Sequence, residues 1–258
     1  MKVAGQPDST MGVRVEDFDL YDFHESDVAQ LRKLLYANKI VVLRAQLPSP
    51  AELVELCALF GRIERRREFV RDSWCSENQH TPYPFAISIA CSPAELAPSR
   101  RIHFIDQGKA YCRLPESFRR LLAGACAVHT PPRPTQPLAT VRHPAVIVHP
   151  CTGEHILYLS AGCTVDIEDH EGMSLGTKTV RTLLELSGQL DASLTHDLVH
   201  HQILTRGDVL IWDNRSLVHR FSAQQIPKSV VIQRFAVYDE YPFDAATIAR
   251  RRIGEAIS

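Results

Sequence analysis

Two rhythms of apolar and polar positions alternate along this chain. From Ser26 to Asn38, the residues Val28, Leu31, Leu34 and Leu35 recur three and four apart. That spacing predicts one apolar face of a helix, with Ser26 as its N-cap. Ile40 to Leu43 is a short apolar run that predicts a buried strand. Ser49-Pro50-Ala51-Glu52 reads as a capping box with proline at the first helical position. Leu53, Leu56, Cys57 and Phe60 continue it as the stripe of a second helix, and Gly61 stops it. Strands are predicted over Phe85–Cys91 and Arg101–Ile105, then two short helices over Gln107–Leu114 and Pro115–Leu122, the latter stopped by Gly124. Val141–Val148 and His155–Leu159 read as strands around the turn Pro150-Cys151-Thr152-Gly153, and Val180, Leu183, Leu184 and Ser187 space out a helix. Thr205–Ser222 predicts a strand (Val209–Trp212), a tight turn through Asp213-Asn214-Arg215, and a second strand from Leu217 to Phe221. Val230–Val237 reads as a final core strand and Phe243–Ile257 as a C-terminal helix.

Many short strands, with helices at both ends and between them, fit an α+β, mainly β chain. The expected architecture is a double-stranded β-helix (jelly-roll, cupin-like) with flanking helices. At 258 residues one domain, 1–258, is expected, with its core over roughly residues 13–240. The 45% hydrophobic and 23% charged content is that of an ordinary globular protein. A net charge of −1 gives no pull toward nucleic acid or anionic membrane. No apolar h-region opens the chain and no run approaches the ~18 residues of a membrane span, so a cytoplasmic protein is expected. Seven cysteines without CxxC spacing fit reduced thiols. The arginine-rich run Arg62–Arg71 reads as a solvated face, and Pro131, Pro132, Pro134 and Pro137 as a rigid loop.

Several segments carry a family resemblance. "GDVLIWDNR…H" ending at His219 resembles the segment bearing the last metal-ligand histidine of the taurine dioxygenase (TauD/TfdA) and clavaminate-synthase-like non-haem iron oxygenases. The opening helix–strand–helix closing on "LFG", the stretch AYCRLPESFRRLLAG, and HPCTGEHILYLS resemble other parts of the same family. The resemblance implies Fe(II) held by two histidines and a carboxylate, a small-molecule substrate and molecular oxygen. The first two ligands come as His-x-Asp or His-x-Glu, because alternate residues of an extended strand point the same way. Here Trp74-Cys75-Ser76-Glu77 stands in that place, so the implied metal set is Cys75, Glu77 and His219.

Thiolate, carboxylate and neutral imidazole carry −2 where the usual set carries −1. That weakens the attraction for a dianionic co-substrate such as 2-oxoglutarate and favours softer metals. The co-substrate positions also depart. The family's keto-acid arginine falls at Val230 or, fifteen residues after His219, at Arg234; the family's threonine position holds Ile102. His80 and His103 read as a loop and a surface-facing histidine, with entry into the pocket in place of Cys75 as the alternative reading. His200-His201, Asn214 and Arg215 read as structural. A nucleophilic role for Cys75 lacks a base and an oxyanion hole. No GxSxG, GxxxxGK[ST], HExxH or GxGxxG motif supports a rival chemistry. The expectation is a divergent oxygenase or oxidase (hydroxylation, desaturation or a related oxidation) with weakened or lost 2-oxoglutarate use. The alternative is a redox-inactive ligand-binding protein or metal-independent enzyme.

Overall fold

The computed structural model describes residues 1–6, 11–66, 73–91, 100–131, 140–221 and 233–241. The chain opens with β1 (Val3–Gly5), β2 (Val13–Val15), α1 (Glu25–Asn38), β3 (Ile40–Leu43), α2 (Pro50–Phe60) and β4 (Arg62–Arg66). Its middle holds β5 (Ile87–Cys91), β6 (Arg100–Asp106), α3 (Gln107–Arg113), α4 (Glu116–Leu121), β7 (Cys126–His129) and β8 (Val141–Pro144). Then come β9 (Val146–Val148), β10 (His155–Leu157), β11 (Thr164–Glu168), α5 (Thr177–Leu186), β12 (Val199–Leu204), β13 (Val209–Asp213), β14 (Leu217–Phe221) and β15 (Gln233–Tyr238). Val230 and the segment Phe243–Ile257 lie outside the described residues.

A seven-stranded sheet runs β1-β2-β3-β13-β5-β15-β4, antiparallel except at the β2–β3 pair. One face sends Val41, Leu43, Val209, Ile211, Ile87, Ile89, Phe235 and Val237 into a core with Val28, Leu31 and Leu35 of α1 and Leu53, Leu56 and Phe60 of α2. The other face sends Ile40, Val42, Ala90, Leu210 and Trp212 against Ile102, Phe104, Leu204, Leu217 and Phe221 of the smaller sheet β12-β6-β14. Strands covered on both faces read as continuous apolar runs, which is why IVVL and VLIW lack alternation. Outside the smaller sheet, Ile105 and Val218 join Trp74, Leu157, Ile167, Leu183 and Leu184 in a third core. No helix among the described residues is long and apolar enough to cross a membrane. All seven cysteines are free thiols, with Cys57, Cys75, Cys91 and Cys163 buried.

Local chemistry sets the boundaries. Ser49 caps α2 as read from sequence: its Oγ accepts from the Glu52 N–H at 3.3 Å, and the Glu52 carboxylate accepts from the Ser49 N–H at 2.7 Å. In α1 the cap is His24 instead of Ser26, because the Asp27 carboxylate accepts from the His24 N–H at 2.9 Å and moves the first turn forward. The predicted strand Val141–Val148 divides at Ala145. Its N–H donates to Ala125 at 2.9 Å, leaving β8 to pair with β7 and β9 with β10.

The expected strand, turn and strand are present as β13, residues 214–216 and β14, but the two strands do not pair with each other. β13 lies between β3 and β5 in the large sheet, whereas β14 pairs with β6 in the small one. The link between them therefore passes from one sheet to the other. Asp213 holds it by accepting from the Arg215 N–H at 2.9 Å and the Ser216 hydroxyl at 2.5 Å. Asn214 donates to Ser88 Oγ at 2.6 Å, and Arg215 grips Asp239 at 2.6 and 2.7 Å. These contacts accord with the structural reading of Asn214 and Arg215.

Candidate metal centre

His219 sits on the interior face of β14, aligned with Phe104 of β6. Residues 73–77 run along the free side of β14. There the Cys75 N–H donates to the His219 carbonyl at 3.0 Å and the His219 N–H to the Cys75 carbonyl at 2.9 Å. A reciprocal antiparallel pair of this kind brings both side chains to the same face. Glu77, two residues on, points the same way as Cys75. The intervening residues turn aside: Trp74 is buried in the outer core, and the Ser76 hydroxyl donates to the Asn214 carbonyl at 2.7 Å.

The three side chains converge. Cys75 Sγ lies 3.9 Å from His219 Nε2, and His219 Nε2 lies 3.3 Å from Glu77 Oε1. One donor atom from each residue falls within 4.8 Å of the others, and all three residues are buried. Among the described residues this is the one such group of histidine, cysteine and acidic side chains. Aromatic rings fix the imidazole, with centroid distances of 5.2 Å to Trp212, 5.5 Å to Phe221 and 6.2 Å to Phe104. Its Nδ1 is buried without a hydrogen-bond partner among the described residues. Donors bonded to one ion at ~2.0–2.3 Å stand roughly 3–4 Å apart, so the spread and the S/O/N donor set suit a first-row divalent cation.

Arg234 enters the same space. It alternates along β15 with Phe235 and Val237, which face the helices, so its side chain turns to the interior. Its guanidinium donates to Glu77 Oε1 and lies 5.2 Å from the Phe221 ring centroid. The oxygen it holds is the one that faces His219. Periodicity could have shown that Arg234 faces inward; that it pairs with Glu77 needed the fold.

Ile102 is buried on the interior face of β6, opposite Phe221, and adds only apolar surface. His103 turns the other way, its Nδ1 2.7 Å from His201 Nδ1 across the β6–β12 pair. Burial first, then the nearby His201, Arg101 and Arg220 charges, lower the His103 pKa to about 4. His200 faces inward near Phe104, with Nε2 3.4 Å from Gln202 Oε1, and burial lowers its pKa. Neither His80 nor His103 joins the three donors.

Sequence reading missed a second buried polar group. His129 and His143, on neighbouring strands, have ring centroids 5.5 Å apart, each about 6 Å from the Tyr158 ring. His129 Nδ1 lies 3.1 Å from Thr164 Oγ1 and 3.7 Å from Cys163 Sγ. Cys163 Sγ also reaches Gln79 Oε1 at 3.4 Å, two residues beyond Glu77. Isolated histidines in short strands carry no spacing signal that would have found it.

Comparison with known proteins follows the same lines. The family model described as "Taurine catabolism dioxygenase TauD, TfdA family" matches residues 103–228. A curated relative from Schizosaccharomyces pombe, described as "Putative alpha-ketoglutarate-dependent sulfonate dioxygenase", is 28% identical over 151 residues. That match covers 54% of this chain but only 37% of the relative's own length. A taurine dioxygenase structure from Burkholderia xenovorans is similar at TM-score 0.73 and 21% identity, covering 92% of this chain and 89% of that one. AAD-2, solved in complex with Mn(II) and N-oxalylglycine, is similar at TM-score 0.77 and 18% identity, covering 94% and 99%. The fold shared with these structures is the jelly roll expected from the strand pattern.

Proposed function

We propose that this chain is a divergent metal-dependent oxygenase or oxidase of a small molecule, of the TauD/TfdA type, a reading supported by the match of that family's model to residues 103–228. Cys75, Glu77 and His219 would hold the metal, with Fe(II) the ion that the family resemblance implies. The observation carrying this reading is the convergence of three buried donors on one interior face. A neighbour of the same fold that holds Mn(II) and N-oxalylglycine supports a divalent cation and an organic acid as ligands.

When bound, the metal supplies the oxygen-dependent oxidation chemistry. The chain's own residues do the rest. The Cys75–His219 backbone pair holds sulfur and imidazole at a set separation, so these two donors need little reorganisation on loading. Ligation requires Cys75 as thiolate, so metal uptake releases its proton. Phe104, Trp212 and Phe221 wall the imidazole and exclude water.

Reduced dependence on 2-oxoglutarate fits two features. The donor set carries −2, and Ile102 offers no hydroxyl. Anaerobic titration with Fe(II), followed by oxygen uptake with and without 2-oxoglutarate, tests the reading. Binding at micromolar affinity is expected, with oxygen uptake that depends little on the keto-acid. Failure to bind any divalent metal would sink it.

The ion pair also favours a second reading, in which the chain binds a ligand without a metal. Arg234 supplies the cation a buried carboxylate needs, so the site is electrostatically complete as it stands. Small-molecule binding unchanged by Cys75→Ala and by chelator would favour it.

A further inference from the structure

The geometry points to Arg234 as a built-in competitor for the metal: its guanidinium holds the Glu77 oxygen that a cation would need, so metal loading requires Arg234 to let go. This rests on the proposed metal-binding reading and adds a regulation of that site. Three observations carry it. Glu77 Oε1 both accepts from Arg234 and lies 3.3 Å from His219 Nε2, so one oxygen serves the ion pair and the donor cluster. Both partners are largely buried, with side-chain exposures of 11% for Arg234 and 5% for Glu77, so water is a poor substitute for either. The guanidinium is also seated over Phe221, whose ring lies 5.5 Å from the His219 ring, so it stays beside the donors instead of extending to bulk solvent.

A divalent ion at the three donors and a guanidinium on the same oxygen would be like charges at short range in a poorly solvated place, which is unfavourable. The ion and Arg234 therefore exclude each other from Glu77. The planar fork of a displaced guanidinium suits a carboxylate. An organic dicarboxylate that takes Arg234 away from Glu77 makes metal binding easier, and by linkage the metal makes acid binding easier by the same factor.

Cobalt(II) is the probe, titrated anaerobically into the full chain and followed by thiolate-to-cobalt absorption and by calorimetry. Arg234→Met should bind Co(II) at least tenfold more tightly than the wild type, because no guanidinium then competes with the ion for the Glu77 oxygen. Arg234→Lys, which keeps the charge, should stay within threefold of the wild type. Saturating glutarate should tighten Co(II) binding to the wild type at least threefold and leave Arg234→Met unchanged. Equal or weaker binding by a folded Arg234→Met would overturn the inference, as would Arg234→Lys gaining as much as Arg234→Met. If Arg234→Met does not fold, the glutarate effect on the wild type decides, and its absence overturns the inference. Failure of both wild type and Arg234→Met to bind cobalt at all defeats the metal-binding reading itself. Tight wild-type binding with no gain in Arg234→Met defeats only the competition.

Discussion

His129 shows how burial of one ionisable side chain becomes a property of the whole protein. The residue is fully buried, and desolvation, aided by the nearby His143 and His80, lowers its pKa to about 3 from an ordinary 6.5. Between those values the unfolded chain takes up a proton that the folded chain refuses. Stability contributed by the neutral, buried form is therefore present above about pH 6.5 and is lost as pH falls toward 3. The expected slope is roughly 1 kcal/mol per pH unit for this residue. His103, with its pKa at about 4, adds a loss of the same sign. Urea-unfolding midpoints between pH 7 and 4.5 should fall for the wild type and fall less steeply for His129→Gln; parallel slopes would show that His129 is not the source. At the proposed centre, Cys75→His would change the donor charge from −2 to −1. Near-ultraviolet thiolate-to-cobalt absorption is expected in the wild type and absent in Cys75→His. A band that persists in the variant would place the sulfur ligand elsewhere.

Helix ends and sheet crossings are where individual elements were legible or not. The α2 capping box was readable because its signature is four consecutive residues, and both of its hydrogen bonds are present. At the other end Gly61 has φ of 143°, and a Cβ there would stand 2.1 Å from the Tyr238 carbonyl oxygen. Gly61→Ala must therefore push β15 away from the helix end. Its expected cost is about 3 kcal/mol, against about 1 kcal/mol for Ser49→Ala, which removes only a cap. Denaturant unfolding of the two variants should preserve that order, and an equal cost would mean that β15 yields easily. The Thr205–Ser222 stretch was readable as two strands, but its turn residues are shared by hairpins and by sheet-to-sheet links. Only the partners β5 and β6, over a hundred residues earlier in the chain, distinguish the two.

Across the whole molecule, the candidate centre joins the interior faces of the two sheets: Arg234 comes from the large one, and His219 and its paired segment from the small one. An ion bound there ties the 73–77 segment to β14 through side chains, in addition to the Cys75–His219 backbone pair. Free ligand at 100 times its dissociation constant should stabilise the fold by about 2.7 kcal/mol. For a domain of this size that is a rise in Tm of roughly 5–10 °C. Thermal unfolding with and without Co(II) should show the increment in the wild type and lose it in Glu77→Gln. The comparison is between increments, because Glu77→Gln also weakens the Arg234 pair and lowers the starting point. An unchanged increment in Glu77→Gln would remove Glu77 from the site.

Sequence alone determined what depends on neighbours within a few residues. It set the strand and helix runs, the capped start of α2, the inward direction shared by Cys75 and Glu77, and a family resemblance strong enough to imply the jelly roll. It also put a thiol where an imidazole is usual. Tertiary structure decided what depends on distance in space. It placed the two strands of the Thr205–Phe221 stretch in different sheets, set Cys75 opposite His219 across 144 positions, and buried His103 against His201. It also brought the Arg234 cation onto the Glu77 oxygen. Backbone propensity and side-chain alternation act locally and are written in short words of sequence. Which charges neutralise one another in a dry interior depends on how the sheets close, and no short word records that.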